Sequence, residues 1–339
     1  MTSRSLFNIS LNDSTLSFDV DNGDTILSAA LRNGIGLAYE CNSGGCGNCS
    51  FELKDGVVEE LWAEAPGLSD EARKKGRHLA CQCAPASDLK ISARVSNRFL
   101  AQFPPIRFKA PLIAKRMLTS DMAEFTFRVK EGSDFLPGQF AIFRLPGTDG
   151  YRAYSMANLT EDGQFWSFVI KRLPAGRATN FLFERLEVGA EIEFDGPYGL
   201  SYLQPAIDRD IICIGGGSGL SPLLSITRAA IRAPELKHRK IFFFYGARRS
   251  ADHCLKHFLD QDPLIAERVK IIEVVSDEDP EWRGEKGLVH EVLKRQMAGD
   301  LDRYEYYVCG PKGMTDALQV FLSVENKVPT KQIHFDRFY

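Results

Sequence analysis

The sequence predicts a chain of three domains: a small α+β module, an antiparallel β-barrel and a parallel α/β domain. Its 339 residues exceed one ordinary core, because domains average roughly 100 to 200 residues. Residues 107–205 contain alternating strand patterns punctuated by glycine and proline, which are typical of an antiparallel barrel. From Asp210 onward, short apolar runs alternate with helical segments, as in a parallel sheet covered on both faces. We therefore predict domains at residues 1–98, 107–205 and 206–339.

Composition and charge exclude several classes of protein. With 44% hydrophobic and 26% charged residues, the chain has enough apolar material for packed cores. A net charge of -3 argues against a nucleic-acid binder, which needs a basic surface to neutralise phosphates. The N-terminal segment lacks the apolar region of a secretory signal, and no stretch approaches the roughly 18 apolar residues of a membrane span. These observations predict a cytoplasmic protein with no nucleic-acid or membrane partner.

The first domain begins with strand patterns and then a short helix. Residues 6–20 predict two strands joined by a polar turn at residues 12–14. Asp24 or Thr25 can cap a short helix, which Gly34 ends. A loop rich in cysteine follows directly. Since five of the eight cysteines fall in the first quarter of the chain, this crowding favours a metal or redox site over disulfides.

The cysteine loop has the spacing of an iron-sulfur site. Cys41, Cys46 and Cys49 follow the C-x4-C-x2-C pattern of plant-type 2Fe-2S centres, and small residues between them let backbone N–H groups approach the sulfurs. Either Cys81 or Cys83 can supply the fourth thiolate that two irons require. A structural zinc site usually pairs its ligands as C-x2-C twice, and only one such pair is present here. The spacing therefore predicts a 2Fe-2S cluster.

A second candidate site lies in the barrel, where four residue types suit a flavin. The guanidinium of Arg152 can pair with pyrophosphate oxygens, an aromatic ring such as Tyr154 can lie against the isoalloxazine, and the Ser155 hydroxyl can bond the ring nitrogen that accepts hydride. Thr179 is predicted to open a helix, whose N-terminus would bind the pyrophosphate. Taken alone, Arg152 and Tyr154 would equally suit an ordinary barrel surface, and Thr179 an ordinary helix cap.

A third candidate site lies in the last domain. Residues 215–219 form a glycine-rich turn between an apolar strand and a helix, which is where a dinucleotide pyrophosphate binds. The spacing differs from G-x-G-x-x-G, and a lone turn of this kind can be a mere connection. Cys309 ends a later strand and could lie beside a nicotinamide, although an isolated cysteine is more often structural. Arg248 and Arg249 could meet the 2'-phosphate of NADPH, but surface arginines are common and we favour NADH.

Together these segments resemble the ferredoxin-NADP reductase superfamily, and more closely the reductase components of bacterial ring-hydroxylating dioxygenases and related multicomponent monooxygenases. ECNSGGCGNC with LACQC resembles the cluster signature, RAYSMAN the flavin signature, and GGGSGLSP with CGPKGM the nicotinamide signatures. The resemblance spans nearly the whole chain. It implies an N-terminal β-grasp ferredoxin, a six-stranded flavin-binding barrel and a C-terminal nucleotide-binding α/β domain, in that order.

The resemblance also implies roles for individual residues. The implied cluster ligands are Cys41, Cys46, Cys49 and Cys81. The implied binding residues for FAD and NAD(P)H are Arg152, Ala153, Tyr154, Ser155, Gly176, Thr179, Gly215, Gly216, Gly217, Ser218, Gly219, Cys309, Gly310, Pro311 and Phe338. Ser155, Cys309 and Phe338 would act in catalysis, with Tyr339 a second choice for the aromatic residue near the flavin ring.

These expectations define an NAD(P)H-dependent oxidoreductase. A hydride would pass from the nicotinamide to FAD, and single electrons would then pass through the 2Fe-2S cluster to a ferredoxin or to the terminal oxygenase of a system that degrades aromatic compounds. The same modules would serve a diiron monooxygenase or a deoxysugar dehydratase. A non-enzymatic iron-sulfur carrier is the alternative from another class, and the intact glycine-rich turn argues against it.

Overall fold

The computed structural model describes residues 6–13, 15–130, 133–160, 164–297, 299 and 301–338. The chain folds into two compact units. The first comprises Met1–Lys109, Phe140–Tyr154 and Ile192–Leu200, and the second comprises Ala110–Gln139, Ser155–Glu191 and Ser201–Tyr339.

The N-terminal region is a mixed sheet crossed by one helix, the predicted β-grasp arrangement. Its elements are β1 (Leu6–Leu11), β2 (Ser17–Asp21), α1 (Ile26–Arg32), β3 (Ser50–Asp55), β4 (Val58–Glu60), α2 (Asp70–Lys74), β5 (Arg77–Leu79), β6 (Cys83–Pro85) and β7 (Leu89–Ala93). The five-stranded sheet has the order β2-β1-β7-β3-β5, and β4 pairs with β6. The predicted hairpin is β1 with β2, and Thr25 caps α1 by accepting a hydrogen bond from the Ser28 backbone N–H.

The middle of the chain forms the predicted antiparallel barrel. Its elements are β8 (Ile106–Met117), β9 (Met122–Arg128), β10 (Phe140–Arg144), β11 (Arg152–Ser155), β12 (Phe165–Lys171), α3 (Arg177–Glu184) and β13 (Glu191–Tyr198). The strand order is β11-β10-β13-β8-β9-β12. An isolated antiparallel bridge between Met156, which follows β11, and Phe168 of β12 brings the two ends of this order together. The six strands thus make a nearly closed barrel.

The C-terminal region is the predicted parallel α/β sheet. Its elements are β14 (Asp210–Gly216), α4 (Leu220–Arg232), β15 (Ile241–Ala247), α5 (Leu255–Gln261), α6 (Pro263–Arg268), β16 (Val269–Val275), β17 (Glu285–Lys286), α7 (Val289–Gln296), β18 (Tyr304–Pro311), α8 (Lys312–Gln319) and β19 (Ile333–Phe338). All pairs are parallel in the order β17-β16-β15-β14-β18-β19. Apolar clusters cover both faces of this sheet, because alternate strand residues belong to different clusters.

Two features of the chain extend the sequence prediction. The terminal residues form strand β19, an edge strand that pairs with β18 over Ile333 to Phe338. In addition, none of the helices in the described ranges combines the length and apolarity needed to cross a membrane.

Candidate functional site

The cysteine loop and the turn after β5 bring four thiols together. Cys41, Cys46 and Cys49 lie between α1 and β3, and Cys81 lies in a 3-10 turn that follows β5. The Sγ atoms of Cys49 and Cys81 are 3.3 Å apart. A hydrogen bond with the Cys46 thiol, together with the Ser43 N–H, lowers the pKa of Cys41 to about 6 despite burial. All four cysteines are free thiols, so each can bind iron as a thiolate.

The backbone of this loop directs N–H groups at the cysteine sulfurs. The N–H of Ser43 points at Cys41 Sγ and the N–H of Asn48 at Cys46 Sγ, both at 3.5 Å. Gly47 has φ +79°, and a Cβ there would lie 2.4 Å from the carbonyl oxygen of Gly67. Only glycine fits this position, so the tight path of the loop depends on it.

The structure distinguishes the two cysteines of the CQC segment. Cys81 is fully buried and faces Cys49, whereas Cys83 lies on β6. The sulfur of Cys83 lies within 4.8 Å of ligand atoms of Glu60 and His78, which hydrogen-bond each other at 2.7 Å. Burial, reinforced by the Glu60 carboxylate, raises the pKa of Cys83. The geometry therefore favours Cys81 as the partner of the loop cysteines.

The buried side chain of Asn42 indicates whether these residues fit a 2Fe-2S cluster. Asn42 is 1% exposed, and neither atom of its carboxamide has a hydrogen-bond partner among the described residues. A buried unsatisfied amide costs about 1–3 kcal/mol. Because Asn42 directly follows Cys41, the sulfurs of a 2Fe-2S cluster would offer it the missing acceptor. The four thiols and this unused donor fit a 2Fe-2S cluster.

Strand β11 consists of the RAYS segment, and its first three residues belong to the first compact unit. The Arg152 guanidinium donates to the carbonyl oxygens of Asp149 (2.9 Å) and Tyr151 (3.0 Å) and lies 4.6 Å from the centre of the Trp62 ring. Ala153 follows on the same strand. The Tyr154 ring contacts Phe143 at a centroid distance of 4.6 Å, and burial raises the pKa of Tyr154.

Ser155 lies in the second unit and meets a residue that the sequence analysis missed. Its Oγ donates to Asp336 Oδ2 at 2.8 Å, and its carbonyl oxygen accepts from Ser221 Oγ at 2.6 Å. Asp336 is directly opposite Cys309 in the β18–β19 register. Burial, and then the Asp336 carboxylate, raise the pKa of Cys309, so this thiol stays neutral.

The terminal strand explains why Asp336 reaches this place. Side chains alternate along a strand, so Asp336 and Phe338 lie on the same face of β19. Phe338 pairs with Pro311 in the register, at the end of β18. Alternation in IHFDRF indicates only which residues share a face, whereas the contact of Asp336 with Ser155 depends on the pairing of β19 with β18. Tyr339, the second choice for the aromatic residue, lies outside the described residues.

The helix that was expected to open at Thr179 starts earlier. α3 begins at Arg177 after Gly176, and Thr179 is already inside its first turn. The Thr179 hydroxyl accepts a hydrogen bond from the Leu173 N–H (3.1 Å) and contacts the Gly176 carbonyl oxygen (3.1 Å). Its side chain thus closes the preceding turn. The N–H groups at the start of α3 remain the feature that suits an anion.

The glycine-rich turn has the predicted position between β14 and α4. Gly215 and Gly216 end β14, and residues 217–219, including Ser218, form a 3-10 turn before α4. A Cβ at Gly219 would lie 2.0 Å from the Cys309 carbonyl oxygen, so the backbones of the two predicted segments touch. Gly310 is close by, because a Cβ on it would lie 3.0 Å from the Gly216 carbonyl oxygen.

A cavity of about 910 Å³ opens beside this turn. Gly216, Gly217 and Pro311 line it, whereas Gly215, Gly219 and Cys309 are buried behind this lining or outside it. Its volume falls within the roughly 300–1,000 Å³ typical of ligand sites. Other lining residues include Lys171, Arg172, Arg248, Arg249, Asp252, Ser276, His290 and Met314. Glycines next to cationic side chains suit a dinucleotide, and Lys171 and Arg172 are lining residues that the sequence analysis missed.

Comparisons with known families cover the chain in three parts. Residues 9–86 match the 2Fe-2S iron-sulfur cluster binding domain, residues 109–202 the oxidoreductase FAD-binding domain, and residues 213–319 the oxidoreductase NAD-binding domain. The cofactors of the chain are therefore a 2Fe-2S cluster, FAD and NAD(P)H.

Individual relatives are similar along their whole length. The chain is 41% identical to the ferredoxin–NAD(P)(+) reductase CarAd of Metapseudomonas resinovorans, over 94% of this chain and 95% of the relative. It is 37% identical to the ferredoxin–NAD(+) reductase component of the alkene monooxygenase system of Xanthobacter autotrophicus, over 97% and 99%. A solved structure of the ferredoxin reductase in carbazole 1,9a-dioxygenase matches with a TM-score of 0.90 and 38% identity, over 100% of both chains.

Proposed function

Because the chain belongs to the family of NAD(P)H-dependent iron-sulfur flavoprotein reductases that serve oxygenase systems, we propose that it delivers electrons to a ferredoxin or terminal oxygenase of a system that degrades aromatic compounds. The full-length similarity to CarAd carries this proposal. The aromatic substrate class is supported by the carbazole dioxygenase named for the similar solved structure.

The proposed domains are residues 1–98 for the cluster, 107–205 for FAD and 206–339 for NAD(P)H. Each of the three family matches falls inside one of these ranges. The cofactors supply the redox chemistry, namely acceptance of a hydride from NAD(P)H and release of single electrons through the cluster. The protein supplies their binding, orientation and electrostatic environment.

We propose Cys41, Cys46, Cys49 and Cys81 as the cluster ligands. The 3.3 Å separation of Cys49 and Cys81 and the N–H groups aimed at Cys41 and Cys46 support this set. To bind iron, each of these four cysteines must lose its thiol proton.

We propose that FAD is bound by residues 152–155 together with Gly176 and Thr179. Arg152 would pair with the pyrophosphate, Tyr154 would lie against the ring system, and Ser155 would hold the ring nitrogen that accepts hydride. The hydrogen bond from Ser155 to Asp336 uses the single proton of that hydroxyl, so its oxygen would face the flavin as an acceptor. Phe338, on the same face of β19 as Asp336, would be the aromatic residue beside the flavin ring.

We propose that NAD(P)H binds at residues 215–219 and 309–311, with its pyrophosphate at the glycine-rich turn. The cavity lined by Gly216, Gly217 and Pro311 supports this placement. The neutral Cys309 thiol would neighbour the nicotinamide without repelling it. We favour NADH: Arg248 and Arg249 are both exposed, and Arg249 lies 3.6 Å from the Asp252 carboxylate, which offsets part of the charge that a 2'-phosphate would need.

We place the protein in the cytoplasm, where NADH is supplied and thiols stay reduced, with no nucleic-acid or membrane partner. Free cysteines throughout the described residues support a reducing compartment.

A second candidate partner is a diiron monooxygenase, which the 37% identity to the reductase of an alkene monooxygenase system favours. A deoxysugar dehydratase partner and a non-enzymatic carrier have no such support.

A partner assay tests the proposal. Purified reductase with NADH should reduce a carbazole-type ferredoxin or oxygenase, and should reduce a hydroxylase of the alkene monooxygenase type more slowly. The Cys41→Ser variant should lose reduction of either partner and of cytochrome c while keeping its NADH–ferricyanide activity. Faster turnover with the monooxygenase hydroxylase would replace the first candidate by the second.

A further inference from the structure

Two buried amide side chains directly follow two of the cluster cysteines. Asn42 comes after Cys41 and is 1% exposed, and Gln82 comes after Cys81 and is 2% exposed. Both retain carboxamide atoms without a hydrogen-bond partner among the described residues. Three other buried amides behave differently, because their side chains are hydrogen-bonded to backbone groups: Gln139, Asn158 and Gln332.

Gln82 has a fixed orientation toward sulfur. Its Nε2 donates to Cys81 Sγ at 3.7 Å, and its Oε1 points toward Gly150, where a Cβ would lie 2.3 Å from that oxygen. On another side, the Gln82 side chain neighbours Gly44 of the cysteine loop. If the Gln82 amide were rotated by 180°, its oxygen would face the anionic sulfur of a bound Cys81, which is repulsive. The packing and the sulfur therefore both hold the N–H end at the ligand.

Asn42 completes the pair from inside the loop. Its backbone has φ +47°, a conformation that asparagine tolerates better than most residues. The side chain is enclosed, and both its Nδ2 and its Oδ1 are unused within the described part of the chain. Burial of such a donor is unfavourable unless an acceptor arrives, and the cluster is the acceptor that this loop receives.

We propose that the amides of Asn42 and Gln82 donate hydrogen bonds to sulfur atoms of the bound cluster and thereby raise its reduction potential. This inference rests on the proposed cluster ligands. Reduction adds one electron, and therefore one negative charge, to the cluster. N–H donors stabilise the more negative form, so they favour electron transfer from the flavin to the cluster. Neither amide gains or loses a proton in this step.

Two variants of the full-length, cofactor-loaded protein test the proposal. Gln82→Met removes the donor without changing the charge, and Asn42→Asp removes it while keeping a residue that tolerates positive φ. We expect each to lower the equilibrium constant for reducing the cluster about tenfold, which is a fall of about 59 mV in an EPR-monitored redox titration. The FAD potentials should not change.

Asn48→Asp is the matched control. It adds the same charge within the same loop, but the Asn48 side chain is exposed and its Nδ2 bonds to Glu40 at 2.6 Å instead of facing a sulfur. Its cluster potential should fall far less than that of Asn42→Asp. An equal fall in both would mean that added charge, and not the lost donor, causes the shift, and would overturn the role of Asn42.

A measurement on the wild-type protein tests the inference even if the variants fail to assemble a cluster. With only the side-chain amides of Asn and Gln labelled with 15N, pulsed EPR of the reduced cluster should detect 15N hyperfine coupling that is absent from an unlabelled sample. Its absence, or unchanged potentials in both loaded variants, overturns the inference. A wild-type protein that binds no iron or sulfide would instead refute the proposed cluster function itself.

Discussion

Removal of the Asp336 carboxylate should slow reduction of the flavin by NADH. Ser155 Oγ donates to Asp336 Oδ2 at 2.8 Å, and Ser155 is buried. A hydrogen bond to a charged group contributes about 1.5–3 kcal/mol. If this energy orients the Ser155 hydroxyl for hydride transfer, Asp336→Ala should slow the step by roughly 10- to 150-fold, since each 1.36 kcal/mol is tenfold.

The assay is anaerobic stopped-flow bleaching of the flavin band by NADH. Because Asp336 would act through Ser155, the rate constant should fall while the apparent Kd for NADH stays within about twofold. Asp260→Ala is the control, since the Asp260 side chain is 65% exposed and forms an i,i+4 ion pair with Lys256. A variant rate within twofold of the wild type would refute the reasoning, as would weaker NADH binding at an unchanged rate.

Three further substitutions have distinct outcomes. Cys81→Ser should abolish the cluster absorption and EPR signal, whereas Cys83→Ser should retain both; the reverse result would reassign the fourth ligand. Arg32→Leu removes the bidentate partner of buried Asp195 (2.6 and 2.8 Å) and should lower the free energy of unfolding in urea by roughly 3–5 kcal/mol at neutral pH. Arg107, 4.0 Å from Asp195, would remain as a more distant cation. Since burial raises the pKa of Asp195, protonation on acidification should relieve the buried charge that loses Arg32, so a loss that grows in acid would contradict this. Arg249→Ala should raise the KM for NADPH and leave that for NADH unchanged, and equal changes would remove Arg249 from the site.

Local patterns predicted most of the fold. The alternation in β8 to β13 and the apolar runs of β14, β15, β16 and β18 are properties of single segments, so the sequence displays them directly. The same holds for Thr25, whose capping of α1 needs only the Ser28 N–H three residues away. The C-x4-C-x2-C spacing is likewise a local property of the loop.

Features that depend on distant contacts were missed or left open. Asp336 reaches Ser155, 181 positions earlier, only because β19 pairs with β18, which also places it opposite Cys309. The start of α3 was misplaced because Gly176 is its N-cap, so the helix begins at Arg177, and Thr179 closes the preceding turn. The position of Asp336 and the start of α3 depend on tertiary packing, which the periodicity of a single segment does not encode.

The sequence also left open whether Cys81 or Cys83 is the fourth cluster ligand, because this too depends on distant contacts. Both Cys81 and Cys83 are buried, so hydropathy does not separate them. A 3-10 turn at Ala80–Gln82 directs Cys81 toward Cys49, and the pairing of β6 with β4 directs Cys83 toward Glu60. Likewise, the partnerless amide of Asn42 is recognised only once its burial is known.

One chain carries electrons from NAD(P)H through FAD to a 2Fe-2S cluster. An anaerobic titration of the loaded wild-type protein with NADH, followed by absorption and EPR on the same samples, tests it most directly. We expect the flavin band to bleach and the EPR signal of a reduced 2Fe-2S cluster to grow with it, whereas the flavin of the Cys41→Ser variant should bleach without that signal. Flavin bleaching in the wild type with no cluster signal at any NADH concentration would contradict the claim.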